Sequence, residues 1–296
     1  MQPLGTRRHE DPISEDLLLD SDIEGMRLPS PRITTGFEPL DQLVNVAHCG
    51  LMYTIGAQPG MGKTTLAVEI ADNIAAQGHP VLFITQELPR PRLVAKSLVR
   101  LSDGVLTLAN ISDALPVGSD LHADLLNAKE QYRKAIAPNI YFATVEDIAE
   151  VDRLVSDIRS CHGEAPIIFI DYLQILAACS DTPYMDERLA IAGCVKHLRS
   201  TCNAYETTIF AISSITRGAY EGRSSKKAGT SLDIYAGTSA VEYSFDGALC
   251  LTADSERIAP AGMCAVSISA LKNRYGELGS VSLDFDGAHA AFHLAE

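Results

Sequence analysis

The residues best suited to chemistry in this 296-residue chain form the run Ala57-Gln58-Pro59-Gly60-Met61-Gly62-Lys63-Thr64, with Thr65 directly behind it. Gly60 and Gly62 let the backbone turn tightly and aim its N–H groups at phosphate oxygens, and a helix after the turn adds the positive end of its dipole. Lys63 then reaches the β- and γ-phosphates, and the Thr64 hydroxyl offers a ligand to Mg²⁺. The strict motif opens with glycine, whereas Ala57 stands there in this chain, so this is the relaxed form of a P-loop. An ordinary glycine-rich loop capping a helix is the alternative, and the registration of both Lys63 and Thr64 counts against it. Residues 57–65 are expected to bind ATP, but the run alone does not say which reaction follows.

Two acids complete the chemistry. Pro166 to Leu176 reads as a β-rich apolar run whose single charge is Asp171. A carboxylate buried in such a run is costly without a partner, and Mg²⁺ is the natural one beside a P-loop; a strand-terminal aspartate capping the next turn is the alternative. Val81 to Thr85 delivers Glu87 at a second strand end, where ligands of an open parallel sheet gather, and Glu87 is assigned to polarise the attacking water. From spacing alone, a solvated loop glutamate is an equal alternative.

These groups must be held by a sheet. Short apolar runs at Leu51–Ala57, Val81–Thr85, Ile140–Ala143, Ile167–Leu176 and Thr208–Ser213 alternate with helical patterns at Thr64–Gln77, Val145–Cys161 and Glu187–Thr201. That alternation predicts an α/β fold with a mostly parallel central sheet flanked by helices. After Asp246 the strands come close together, at Ala248–Thr252, Cys264–Leu271 and Val281–Phe285, which suits an antiparallel C-terminal extension. Residues 1–35 read as an acidic, proline-rich tail with a short linker helix as one reading and plain disorder as the other; residues 36–296 form the main domain. The seven scattered cysteines include no C-x-x-C pair and fit a reduced, cytoplasmic protein. No apolar stretch resembles a signal peptide or a membrane span. The net charge of −14 excludes a generally basic, nucleic-acid-coating surface, so any DNA contact must be local.

In order and spacing, the pieces resemble a known family. The run Thr35-Gly36-Phe37 with Leu40-Asp41, the P-loop, Glu87-Leu88-Pro89, Ile170-Asp171-Tyr172-Leu173-Gln174, Ser213 to Arg217 and Lys272-Asn273-Arg274-Tyr275-Gly276 together resemble the RecA-like ATPase domain of DnaB-type replicative helicases. The resemblance runs from about Ile33 to the C-terminus. It implies a homo-oligomer, a hexameric ring with ATP at the subunit interfaces, 5'-3' duplex unwinding in DNA replication and contact with other replication proteins. It also implies that Glu87 is the catalytic glutamate and that Lys272 and Arg274 reach a neighbour's γ-phosphate. A cation inserted in trans stabilises charge developing in phosphoryl transfer. Arg217, Arg223, Lys226 and Lys227 match the position of the family's channel loop for single-stranded DNA, where a charged loop without a ligand is the alternative.

Three features depart from the family. Ser214 stands where the family carries a sensor glutamine, which questions the coupling of hydrolysis to DNA movement. Val241-Glu242-Tyr243-Ser244-Phe245-Asp246 keeps Glu242 and Asp246 but loses the two polar residues between them. Met1 to Thr35 is too short to supply the helical N-terminal domain, so a primase-contacting collar is not expected from this chain alone. A RadA-like recombination ATPase and a nucleotide-dependent assembly or regulatory module are the competing readings.

Overall fold

The computed structural model describes residues 33–44, 46, 50–112, 115–178, 186–214 and 244–295. Nine strands among them share one sheet: β1 (Met52–Ala57), β2 (Val81–Thr85), β3 (Ile140–Ala143), β4 (Ile167–Asp171), β5 (Ile209–Ser214), β6 (Gly247–Ala253), β7 (Cys264–Asn273), β8 (Ser280–Asp286) and β9 (Ala291–Leu294). Their spatial order is β3-β2-β4-β5-β1-β6-β7-β8-β9. The block from β3 to β6 is parallel, and β7, β8 and β9 add antiparallel. The helices are α1 (Glu38–Asp41), α2 (Lys63–Ala76), α3 (Arg90–Arg100), α4 (Leu108–Ser112), α5 (Asp120–Ala135), α6 (Ala149–His162), α7 (Leu173–Ala178) and α8 (Glu187–Tyr205).

The parallel strands read as near-continuous apolar runs because both faces are covered. Alternate residues Tyr53, Phe83, Phe169, Phe210 and Leu249 pack towards α2, α3 and α5. Their neighbours Met52, Leu82, Ile168, Ile209 and Ala248 pack towards α6, α7 and α8. On the first face the aromatics form a ladder. Phe142, Phe83, Phe169, Phe210 and Tyr53 lie in register on β3, β2, β4, β5 and β1. Successive ring centroids are 5.8, 5.8, 5.1 and 5.3 Å apart, within the range in which such rings attract beyond their buried area.

Several sequence expectations need correction. Ile167–Leu176 is not one strand: β4 stops at Asp171 and α7 begins at Leu173. Leu173, Leu176 and Ala177, spaced three and four apart, bury with α8 on the second face, and a short apolar run cannot by itself tell strand from helix. The helix expected from Val145 starts at Ala149, after a turn in which the Asp147 carboxylate accepts from the Ala149 N–H at 3.0 Å. Other elements were not anticipated. α3 is disguised by Pro89 and Pro91, although proline is well suited to a first helical turn. α5 is capped by Ser119, whose hydroxyl accepts from His122 N–H at 3.2 Å. β9 closes the last hairpin against β8. Among the described residues no helix is long and apolar enough to cross a membrane.

Candidate nucleotide site

β1 ends at Ala57, and the chain turns back to start α2 at Lys63. Gly60 and Gly62 take the left-handed φ values of +82° and +86° that the P-loop reading requires. At the helix start, Gly62 supplies no side-chain cap, so the first N–H groups of α2 are left for an external acceptor. Gly62 is also held from beneath. A Cβ there would lie 2.8 Å from the Phe285 ring and 2.9 Å from the Phe292 ring, which stack on each other at 4.6 Å. The β8–β9 hairpin is therefore the floor of the loop.

A cleft of about 520 Å³ opens above this turn, lined by Gln58, Pro59, Gly60, Gly62, Lys63, Thr64, Thr65, Glu87, Leu88, Lys96 and Tyr172. The size suits a small-molecule ligand. Ala57 and Met61 are not part of its lining: Ala57 is buried in the sheet and Met61 packs on the core. Glu87 is exposed at the end of β2. Its turn is fastened by the Thr85 hydroxyl, which donates to Leu88 O at 2.6 Å, and by Gln86 N–H, which donates to Asp171 O at 2.9 Å.

Asp171 lies at the end of β4 and is 1% exposed. Burial pushes its carboxyl up to about 6; the neighbouring Thr64 hydroxyl lowers it, Glu87 raises it further, and Lys63 and Lys96 pull it down. Its Oδ2 is buried with no hydrogen-bond partner among the described residues. Asp171 is not itself part of the cleft lining, although Thr64 and Tyr172 are; an orphaned carboxylate oxygen beside a threonine hydroxyl that lines the cleft is a donor set a hard divalent cation takes, so the residues fit Mg²⁺.

Lys96 escaped the sequence reading. It projects from α3 over the start of α2, with Nζ 2.9 Å from Thr65 Oγ1. Burial lowers its pKa and Arg100 adds to that, while Asp171 opposes it. The cleft thus has a second cation, brought there by helix packing and carried by no motif.

The structure does not bring Lys272 and Arg274 to this cleft. β7 runs antiparallel to β6, so its end lies beside the start of β6, where Lys272 pairs with Ala248. Arg274 N–H donates to Asp246 O, and Asp246 N–H to Met52 O, both at 2.8 Å. Arg274 therefore sits at the opening residue of β1, five residues and about 17 Å of strand from the P-loop end. The P-loop of its own chain is out of its reach. Arg217, Arg223, Lys226, Lys227 and Glu242 lie outside the described residues, as do residues 1–32 of the tail expected over 1–35.

A profile described as DnaB-like helicase C terminal domain matches residues 32–294. The chain belongs to that family. Among its DnaB-like relatives, the replicative DNA helicase DnaB of Treponema pallidum (strain Nichols) is 29% identical over 262 residues, covering 88% of this chain and 55% of the relative. A probable plasmid replicative DNA helicase of Chlamydia trachomatis serovar L2 is 24% identical over 255 residues, covering 85% and 52%. The chain spans about half the length of the curated relatives it matches. A solved ATPase domain superposes with a TM-score of 0.82 at 21% identity, over 97% of this chain and 100% of that one. A DnaB-like replicative helicase, solved with a view to its interactions with primase, superposes with a TM-score of 0.80 at 20% identity, over 95% and 67%. At these identities the likeness is one of fold, and the fold is RecA-like.

Proposed function

We propose that this DnaB-like domain hydrolyses ATP with Mg²⁺ at the interfaces of a homo-oligomeric, hexameric ring, and that the cycle drives movement on single-stranded DNA during replication in the cytoplasm. The observation that carries the reading is the buried, unpartnered Oδ2 of Asp171 beside Thr64 and the P-loop. Lys63 and the free N–H groups of α2 bind the phosphates. Thr64 and Asp171 would hold Mg²⁺, which when bound would supply positive charge to the transferring phosphoryl group. Glu87, exposed at the cleft, orients the attacking water and draws off its proton. Lys96 adds a cation from the same chain, and Arg274 adds one from the next. The strand length between Arg274 and its own P-loop supports service to a neighbour.

Family membership favours this reading over a RadA-like recombination ATPase or a regulatory module without unwinding activity. Contact with other replication proteins is proposed by analogy with the solved DnaB-like helicase, for which interactions with primase are described.

Subunit mixing tests the arrangement. Lys63→Ala and Arg274→Ala proteins should each lose most of their hydrolysis alone, Arg274→Ala keeping a small but measurable residual rate. Mixed, they should regain hydrolysis, because Lys63→Ala subunits lend Arg274 to neighbours with an intact P-loop. Stimulation by single-stranded DNA in the natural protein completes the motor reading, and a rate indifferent to DNA rejects it.

A further inference from the structure

Asp246 is 2% exposed and sits between two arginines from distant parts of the chain. Its Oδ1 accepts from Arg274 Nη1 at 2.8 Å. Its Oδ2 accepts from Arg199 Nη2 at 2.7 Å and from Met52 N–H at 2.9 Å. Arg199, on α8, is anchored in turn to Gly50 O at 2.9 Å and to Ser244 O. We propose that Asp246, held in place by Arg199, is a positioning residue that presents the Arg274 guanidinium to the nucleotide of an adjoining subunit. This rests on the reading of Arg274 as a cation acting in trans.

The hydrogen-bond inventory supports presentation. Arg199 and Met52 already satisfy Oδ2, so Arg274 is not needed to neutralise the buried carboxylate. It takes only one bond, through Nη1, and remains 47% exposed. Its Nε and Nη2 carry no hydrogen bond among the described residues. Two guanidiniums share one carboxylate, which leaves a surplus positive charge at the end of the sheet where β1 and β6 begin and β7 finishes. An arginine fork held by one tine keeps the others for phosphate oxygens, with its direction already set.

The loop beyond is fixed by the same economy. Asn273 Nδ2 donates to Leu43 O and to Glu277 O, both at 3.0 Å, which ties the turn to the body of the domain. Arg274 thus leaves a pinned backbone and a pinned first nitrogen. An arginine free to sample its rotamers would have to be ordered at each hydrolytic event. A misplacement of about 1 Å at such a site costs about a hundredfold in rate.

The test is a double-mutant cycle on steady-state hydrolysis by the assembled protein, using Asp246→Asn, Arg274→Ala and the pair. Asp246→Asn keeps an acceptor for Met52 N–H. We expect it to lower kcat about tenfold, with KM changed less than about twofold. In the Arg274→Ala background it should cause no further loss, since there is no guanidinium left to position. Magnesium-dependent binding of a fluorescent ATP analogue, at the far end of β1, reports whether the fold is intact. If Asp246→Asn does not fold, Asp246→Glu, which shifts the carboxylate by one methylene and keeps its charge, decides by the same cycle. An unchanged kcat, or a loss that multiplies with that of Arg274→Ala, overturns the positioning role. Normal hydrolysis by Arg274→Ala instead overturns the underlying trans reading.

Discussion

Glu69 lies on α2 in the domain's main core and is 7% exposed. Its Oε2 accepts from Phe292 N–H at 3.0 Å, and its Oε1 is 4.0 Å from Arg100 Nε. Arg100 is shared, because its Nη2 pairs with Asp72 and its Nη1 donates to Ala290 O at 2.8 Å. One guanidinium therefore serves two buried carboxylates, and Asp72 Oδ1 has no hydrogen-bond partner among the described residues. Burial raises the Glu69 carboxyl from 4.5 to about 7, with Arg100 pulling it part of the way back. The folded chain holds this proton more tightly than the unfolded chain. Its contribution to stability is full below the unfolded value and is lost as pH rises through the folded one. A rise from 4.5 to about 7 corresponds to about 3 kcal/mol in all. About 1 kcal/mol of that falls between about pH 6 and about pH 8. Glu69→Gln keeps an acceptor for Phe292 N–H and never ionises. Urea unfolding of both proteins at about pH 6 and about pH 8 should show the variant gaining on the natural chain by about 1 kcal/mol as pH rises. A gap that stays constant or shrinks with pH refutes the reasoning, whatever the variant's absolute stability.

Glu87→Gln should lower kcat by at least about a hundredfold and leave the affinity for Mg·ATP within a fewfold, read by steady-state kinetics and equilibrium binding. Equal losses in both would place Glu87 in binding and not in water activation. Because burial holds the Asp171 carboxyl at about 6 before metal arrives, magnesium-dependent nucleotide affinity should weaken about tenfold per pH unit below that value. Asp171→Asn should show weak affinity with no such slope in a calorimetric titration. Gly62→Ala forces alanine to φ +86° and drives its Cβ into Phe285 and Phe292. It should destabilise the fold by about 3 kcal/mol, and an unchanged melting temperature would contradict the close fit seen beneath the loop.

The parts of the site read from sequence are those whose chemistry is local. A P-loop is a backbone turn, so its glycines, lysine and threonine must be contiguous, and Asp171 stands out as one charge in an apolar run. The parallel block was readable for the same reason, since strands covered on both faces become short runs of Val, Ile and Phe. Lys96 was hidden because its place in the cleft depends on how α3 crosses α2, and no run of neighbouring residues encodes that. Arg274 could be picked out by its motif, but its tie to Asp246 spans 28 positions and that of Arg199 spans 47. The helix start at Leu173 was missed because Ile167–Leu176 is apolar in both its strand and its helical part, apart from Asp171, Tyr172 and Gln174.

The position of β1 sets an order of events on the ribosome. Its strand and the turn after it are polymerised before the rest of the sheet, yet its two neighbours are β5 and β6, which begin at Ile209 and Gly247. The rings that floor the turn, Phe285 and Phe292, come later still. A nascent chain must therefore carry an unpaired, apolar β1 edge while most of this domain is still being made. Long-range pairing of this kind is slow and exposed to aggregation. The floor beneath the turn is complete only when the β8–β9 hairpin has been synthesised and docked, so the nucleotide binding proposed for this cleft would report a finished domain.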